Sequence, residues 1–244
     1  MLEVQSFAKV FRNQAVISDF SLSLPGNSFT VLVGPSGCGK STLFDLLMGV
    51  ASRNKGKLFL DGEEIIDLRT RAAYMAQKDL LLPWLTLLEN ALLPVTVKEK
   101  PTPADLREAE ELFLLLGLSG FERHYPGQVS GGMAQRCALA RTIFFRTPLT
   151  LLDEPLSAVD AITRRSLRDL LLLLQYRFKK TILMITHDVE DALLLADRII
   201  LLSSSPLSVK EEIPLDSRKP RNELERTLLE LKRHILESLQ GEQS

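Results

Sequence analysis

An α/β fold built on a parallel β-sheet is predicted by three stretches of the sequence. Phe29–Val33 is an apolar, strand-length run that enters a glycine-rich loop, and Leu43–Met48 can leave that loop as a helix. Leu149–Leu152 has the pattern of a second buried strand, and Thr181–Thr186 that of a third, which follows a predicted helix at Ala161–Phe178. Strands that alternate with helices in this way pair in parallel, with helices on both faces of the sheet.

The composition limits the class of protein. The 244 residues are enough to bury a large core, and 30 basic against 31 acidic residues leave a net charge of -1, so no nucleic-acid partner is expected. The two cysteines, Cys38 and Cys137, favour reduced thiols in the cytosol, and neither resembles a metal ligand. Met1–Arg12 lacks the apolar core of a signal peptide, and no apolar run reaches the roughly 18 residues of a membrane span. We expect any membrane role to arise by association.

The opening residues, 2 to 33, alternate apolar and polar side chains and predict strands. Phe11 follows Lys9-Val10 and could stack on an adenine ring or fill the core, and the pattern alone favours the core.

The glycine-rich loop fits the phosphate-loop pattern G-x-x-x-x-G-K-[ST] at every required position. Its residues are Gly34, Pro35, Ser36, Gly37, Cys38, Gly39, Lys40, Ser41 and Thr42. Backbone amides and a helix N-terminus suit phosphate oxygens, Lys40 can reach the β and γ phosphates, and the Ser41 hydroxyl can ligate magnesium. The loop predicts a nucleoside triphosphate site, but it does not choose among kinases, GTPases and ATPase motors.

A hairpin over residues 57 to 66 and a short strand at Ala72–Ala76 follow. The strand ends on Gln77, which could ligate magnesium or orient water, although a solvated loop residue is the commoner interpretation.

Residues 78 to 140 predict a mostly helical insert. Leu80–Leu85 is apolar, holds Pro83 and the single tryptophan Trp84, and is either core or a partner surface. Thr102–Asp105 predicts a capped helix start, and the apolar stripe of that helix is Leu106, Ala109, Phe113 and Leu116.

A second helix in the insert begins with Ser130, Gly131, Gly132 and Met133. Ser130 is a natural N-cap, and the glycines allow a ligand or another backbone to approach closely. An anion site and an ordinary capped helix are both compatible with this pattern.

Ionisable residues follow two of the predicted parallel strands. Asp153 and Glu154 follow Leu152, and because ligands bind at the carboxyl ends of such strands, Asp153 would hold magnesium, partly through water, while Glu154 would act as general base. A helix-capping acidic pair in a loop is the alternative. His187 occupies the equivalent place after Thr186 and could sense the γ phosphate, or serve only a structural role at a helix start.

The last part of the chain predicts a helix at Val189–Ala196, a strand at Arg198–Leu202, a turn at Ser203–Pro206, and an edge strand that ends at Ile213. Beyond it, residues 214 to 244 form a predicted amphipathic helical tail, which packs on its own domain or on a partner. The apolar face of that tail helix is Leu224, Leu228, Leu231, Ile235 and Leu239.

Taken together, the motifs of residues 2 to 213 resemble an ATP-binding cassette (ABC) ATPase. The resemblance rests on Gly34–Thr42, Gln77, Val129–Arg136, Leu151–Glu154 and His187. It implies a P-loop NTPase with a RecA-like parallel-sheet core, an N-terminal antiparallel β subdomain and a helical signature-motif subdomain at about residues 78 to 140.

The resemblance also implies roles for residues that the pattern left open. Phe11 would stack on adenine, Gln77 would ligate magnesium, and His187 would assist hydrolysis of ATP. Ser130–Met133 would contact the γ phosphate held by a second copy in a head-to-tail dimer, and Ser157–Asp160 would couple the two sites.

Within the family, the chain is similar to ATPases of nitrate, sulfonate, taurine and thiamine-precursor importers. This similarity rests on Leu81–Trp84, Thr86, Glu89, Asn90 and Ser130–Met133. Val129, Met133 and Val159 depart from the usual residues without removing a catalytic group. The expected protein is an ATP- and Mg²⁺-dependent ATPase on the inner face of the cell membrane, bound to a permease that a solute-binding protein serves. A soluble cassette ATPase of repair or translation and a soluble phosphotransferase are the alternatives.

Overall fold

The computed structural model describes residues 1–157, 159–204 and 206–240, and the structural statements below refer to those residues. Their β-strands are β1 (Leu2–Phe11), β2 (Gln14–Leu24), β3 (Phe29–Val33), β4 (Lys55–Leu60), β5 (Glu63–Ile65), β6 (Ala72–Met75), β7 (Leu149–Asp153), β8 (Thr181–Thr186), β9 (Arg198–Leu202) and β10 (Val209–Pro214). Their α-helices are α1 (Lys40–Leu47), α2 (Leu87–Thr96), α3 (Pro103–Leu115), α4 (Gly131–Phe144), α5 (Ala161–Phe178), α6 (Val189–Leu195) and α7 (Arg226–Gln240).

The central sheet has the strand order β10-β9-β3-β8-β7-β6. Within it, β9, β3, β8, β7 and β6 run parallel, and β10 closes one edge as an antiparallel strand. Every residue of β3, β7 and β8 is buried, which explains why these strands read as unbroken apolar runs rather than alternating ones. The predicted α/β architecture and the final edge strand are confirmed.

A second, antiparallel sheet lies in the N-terminal part, with the order β2-β1-β4-β5. Its inward side chains share one apolar cluster with α1 and with one face of the central sheet, including Phe7, Phe20, Phe44 and Leu183. The phosphate-loop helix is therefore packed between the two sheets.

Helices α2, α3 and α4 lie between β6 and β7, as the predicted helical insert requires. The capped start of α3 is confirmed. The Thr102 hydroxyl accepts a hydrogen bond from the Asp105 N–H, and the Asp105 carboxylate accepts one from the Thr102 N–H. Leu106 was wrongly placed in the apolar stripe of that helix: its side chain is 41% exposed, while Leu112 is buried. The division of the chain into domains stays a prediction.

The C-terminal helix α7 packs on its own chain. Leu228 and Ile235 are buried, Lys232 pairs with Glu190 of α6 at 3.2 Å, and His234 Nε2 lies 3.0 Å from the Glu211 carboxylate of β10. The tail helix begins at Arg226 rather than near residue 214, which is the last residue of β10.

The remaining predictions for the end of the chain are met in part. The assignment of Leu224 to the buried face of the tail was wrong, since it precedes α7 and is 74% exposed. Ala158, Ser205 and residues 241–244 lie outside the described residues, so the predicted coupling segment and the predicted turn are described only in part. In the part of the chain that the structure describes, no helix is both long enough and apolar enough to cross a membrane.

Candidate active site

The carboxyl ends of four neighbouring parallel strands form one edge of the central sheet. β3 leads into Gly34, β8 into His187, β7 ends at Asp153 beside Glu154, and β6 leads to Gln77. Because the strands are adjacent and parallel, the chain gathers side chains from distant parts of the sequence at this edge.

The phosphate loop has the backbone that its glycines make possible. Gly37 and Gly39 have φ angles of 79° and 110°, in the left-handed region, and Gly39 is the residue from which α1 begins. At Gly34 a Cβ atom would lie 2.9 Å from Leu202 Cβ, so glycine is required there by the packing of the loop against β9. The N-terminus of α1 follows directly, and its free amides suit an anionic phosphate.

Lys40 is buried against this loop at 7% exposure. Its ammonium group donates hydrogen bonds to the carbonyl oxygens of Gly34 at 2.8 Å and Pro35 at 2.7 Å. Burial raises the pKa of the nearby Cys38 thiol, and the charge of Lys40 opposes that effect. The lysine is held over the loop, where the phosphates of a nucleotide would lie.

Asp153 is 2% exposed at the end of β7. Burial raises the pKa of its carboxyl group, whereas a hydrogen bond from Ser41 and the charge of Lys40 lower it. A carboxylate and a hydroxyl oxygen are ligands that magnesium prefers, and magnesium usually completes its shell with water and phosphate oxygens. The pair Ser41 and Asp153 therefore fits a magnesium ion, and Gln77 lies exposed at the end of the neighbouring strand.

Glu154 and His187 form a direct pair, with Glu154 Oε1 3.0 Å from His187 Nδ1. Glu154 has a φ of 51°, in the left-handed region that residues with a side chain adopt uncommonly. Two hydrogen bonds fix its backbone. The Glu154 N–H donates to Ile185 O at 2.9 Å, and the Glu154 carbonyl oxygen accepts from Gln135 Nε2 at 3.0 Å.

Gln135 is a functional candidate that sequence reasoning did not single out. It is 4% exposed, and its side chain joins α4 to the backbone of Glu154. The only signal in the sequence was its place within Val129–Arg136, directly after the predicted helix start, because its burial and its partner are visible only in the structure.

Phe11 lies at the end of β1 with 46% of its surface exposed, and Lys9 Nζ is 4.6 Å from the centre of its ring. The interpretation of Phe11 as a core residue is therefore wrong, and its exposure is consistent with stacking.

Ser130 and Gly131 lie at the exposed start of α4. Ser130 Oγ accepts a hydrogen bond from the Met133 N–H at 3.3 Å, which confirms the predicted N-cap. A Cβ atom at Gly131 would meet nothing within 4 Å. Among the described residues no hydrogen bond joins this segment to Gly34–Thr42.

The segment with Trp84 is exposed but firmly held. Trp84 and Leu80 are 69% and 61% exposed, which excludes the core for these two side chains. The buried Asn90 side chain accepts a hydrogen bond from Leu82 N at 2.8 Å and donates to Leu82 O at 3.0 Å, while Arg141 donates to Leu80 O at 2.9 Å. An apolar surface on an anchored loop is typical of a docking site.

Comparisons with known proteins agree with this geometry. The profile of the ABC transporter family matches residues 17–157, which is more than half of the chain. An aliphatic sulfonates import ATP-binding protein, SsuB 2 of Burkholderia cenocepacia, is 35% identical over 98% of this chain and 87% of its own length. An aliphatic sulfonates import ATP-binding protein of Bacillus cereus is 33% identical over 96% of this chain and 92% of its own length.

Solved structures show the same fold. The dimeric ATP-binding cassette MJ0796 in a post-hydrolysis state, bound to ADP and Pi, superposes with a TM-score of 0.80 at 28% identity. The match covers 89% of this chain and all of that one. The chain therefore belongs to the ABC transporter family and is an ATP-binding cassette ATPase.

Proposed function

We propose that this chain is the ATP-hydrolysing subunit of an ABC importer, which dimerises on ATP to drive a separate permease. The observation that carries the proposal is the 3.0 Å contact between Glu154 and His187 beside the phosphate loop. It is the contact expected of a general base held by an orienting group.

Each group at the edge of the sheet then has a task. The residues Gly34 to Thr42 bind the phosphates, Lys40 neutralises the charge of the β and γ phosphates, and Phe11 stacks on the adenine. Glu154 accepts a proton from the attacking water, and His187 orients that water toward the γ phosphate. Ser41, Asp153 and Gln77 would hold magnesium, which when bound offsets the negative charge of the transferred phosphoryl group.

The site is completed by a second copy of the chain. Ser130, Gly131, Gly132 and Met133 of that copy close on the γ phosphate, so two nucleotides lie between head-to-tail subunits. The exposed start of α4 supports this arrangement, because an exposed helix N-terminus suits an anion from outside the chain. The dimeric solved relative bound to ADP and Pi gives independent support.

The apolar surface of Leu80 and Trp84 receives the permease, and the chain is held through it on the inner face of the cell membrane. The names of the sulfonate importers among its relatives support a small anionic solute. A sulfonate, nitrate or a thiamine precursor fits the resemblance, and selection of the solute would rest with the permease and a solute-binding protein.

The decisive experiment removes the general base. Glu154→Gln should lower the rate of ATP hydrolysis by about 10²–10⁴-fold, the usual contribution of such a group, without weakening ATP binding. Because the bound ATP is then not consumed, a stable dimer should form with ATP and Mg²⁺ in analytical ultracentrifugation.

Glu63→Gln is the matched control, since it makes the same change on exposed strand β5. It should leave hydrolysis unchanged. A Glu154→Gln protein that binds ATP and remains monomeric would contradict the shared site, and phosphate transfer to an added acceptor without hydrolysis would contradict the whole proposal.

A further inference from the structure

Two arginines of α5 hold the first turn of α6. Arg164 Nη1 lies 2.5 Å from Asp188 Oδ2, and Arg168 Nε lies 2.6 Å from Asp191 Oδ1. The pairs differ in burial: the Arg168 and Asp191 side chains are 14% and 2% exposed, whereas those of Arg164 and Asp188 are 26% and 29% exposed. The deeper pair belongs to the packing of the two helices, and the outer pair lies nearer the site.

Asp188 is the residue directly after His187. Its Oδ1 accepts hydrogen bonds from the N–H groups of Glu190 at 2.9 Å and Asp191 at 3.1 Å, and its own N–H donates to Thr186 Oγ1 at 3.0 Å. The backbone on both sides of His187 is thereby fixed, while 60% of the His187 side chain is exposed. The position of the imidazole depends on this anchoring more than on packing around the ring.

The two helices follow the two members of the Glu154–His187 pair. α5 begins a short loop after Glu154, and α6 begins directly after Asp188. A contact between Arg164 and Asp188 therefore joins the segment that carries Glu154 to the segment that carries His187. Misplacement of a reacting group by about 1 Å can lower the rate about a hundredfold, so the loss of this contact is expected to slow ATP hydrolysis.

We propose that Arg164 is a positioning residue, which through Asp188 holds His187 at hydrogen-bonding distance from Glu154. This inference rests on the proposed function, because it assigns a consequence to the pair that hydrolyses ATP. Only Nη1 of the guanidinium contacts Asp188, and the buried Nε has no partner among the described residues. A lysine could therefore replace the contact, which provides a conservative rescue.

The experiment compares Arg164→Gln, Arg164→Lys and Arg165→Gln, the last being an exposed neighbour without an ion pair to any described residue. Arg164→Gln should lower kcat about tenfold and leave KM for ATP unchanged within about twofold, because phosphate binding lies elsewhere. Arg164→Lys should restore most of kcat, and Arg165→Gln should behave as the unmodified protein.

A second readout follows the imidazole itself. The chain has 3 histidines, so the ring resonances of His124, His187 and His234 can be assigned by single substitutions and followed by NMR. Arg164→Gln should shift the His187 ring signals and leave the other two in place, and Arg164→Lys should return them. If Arg164→Gln does not fold, Asp188→Asn removes the same charge pair and retains an N-cap, with the same expected results.

Normal kcat in both charge-removing variants, or a loss of kcat with the His187 signals unchanged, would overturn the inference. A protein that hydrolyses no ATP before any substitution would overturn the proposed function instead. The NMR comparison needs no turnover, so it decides the positioning role in that case as well.

Discussion

The phosphate-loop edge of the sheet and the start of α4 carry the two most specific motifs of the chain, yet they are built differently. Along the loop, Lys40 bonds to carbonyls of its own chain and Gly34 is packed against Leu202. At the start of α4, Gly131 is exposed and a side chain there would meet open space. Contacts within the chain explain the first motif, whereas at Gly131 the described residues give no packing reason for glycine, and only the proposed second subunit would supply one.

The largest difference expected between the two regions is in their thiols. Burial raises the pKa of Cys137 in α4 to about 12, and also raises that of Cys38, where Lys40 acts in the opposite direction. Only the thiolate reacts, so at pH 8 Cys137 should be alkylated more than about a thousandfold more slowly than an exposed thiol, and its rate should rise about tenfold per pH unit. Cys38 should react faster than Cys137.

Iodoacetamide labelling followed by mass spectrometry measures both rates in one sample. ATP should protect Cys38 further, because the nucleotide covers the loop, and should leave Cys137 unchanged; the urea-unfolded chain, in which both thiols react, is the control. Equal alkylation rates for the two thiols in the folded protein, or protection of Cys137 alone by ATP, would contradict the binding of nucleotide at the phosphate loop.

Most of the loop edge could be predicted from the sequence. Strands β3 and β8 and helix α5 match their predicted limits residue for residue, because each is an unbroken apolar or periodic run between turn and capping residues such as Asp160. The grouping of Asp153 with the strand end of His187 followed from parallel pairing alone.

What escaped prediction depends on tertiary contacts. The contact of Gln135 with the Glu154 carbonyl joins residues from two elements, and no local pattern indicates which buried glutamine meets which backbone. Leu106 and Phe11 fit apolar patterns, but both are exposed. Periodicity indicates which side of an element a residue lies on, and it does not indicate whether other elements bury that side. The proposed role of Gly131 rests on the family resemblance, since among the described residues nothing lies within 4 Å of a Cβ atom placed there.

Alanine substitutions at Gly34 and Gly131 test whether each glycine is needed for packing within the chain or for the shared site. Gly34→Ala places Cβ 2.9 Å from Leu202 Cβ and should cost about 1–3 kcal/mol of unfolding free energy. Gly131→Ala should leave the thermal midpoint unchanged or slightly higher, because alanine favours the helix, while ATP hydrolysis falls about a hundredfold as the second subunit is held away.

Differential scanning calorimetry and a phosphate-release assay measure these effects separately. A Gly131→Ala protein that is as destabilised as Gly34→Ala would mean that the start of α4 serves the packing of its own chain. Full ATPase activity in a stable Gly131→Ala protein would remove this segment from the shared site.

The smallest expected effect separates the two tasks of Ser130. Its hydroxyl caps α4 through a 3.3 Å bond to the Met133 N–H, and Thr102 caps α3 through a 3.3 Å bond to the Asp105 N–H, so Thr102→Ala is a matched control. Each substitution should lower the free energy of unfolding by about 0.5–2 kcal/mol. In a chain of this size, Tm falls by about 2–4 °C for each kcal/mol that is lost. Only Ser130→Ala should also weaken the dimer that Glu154→Gln forms with ATP, about fivefold for a lost hydrogen bond of about 1 kcal/mol.

Ser130→Ala and Thr102→Ala are each combined with Glu154→Gln, and sedimentation of these two double variants with ATP gives their dimer dissociation constants. Equal constants would reduce Ser130 to a helix cap, and a selective loss in Ser130→Ala would mean that the second subunit reaches the nucleotide through the exposed end of α4.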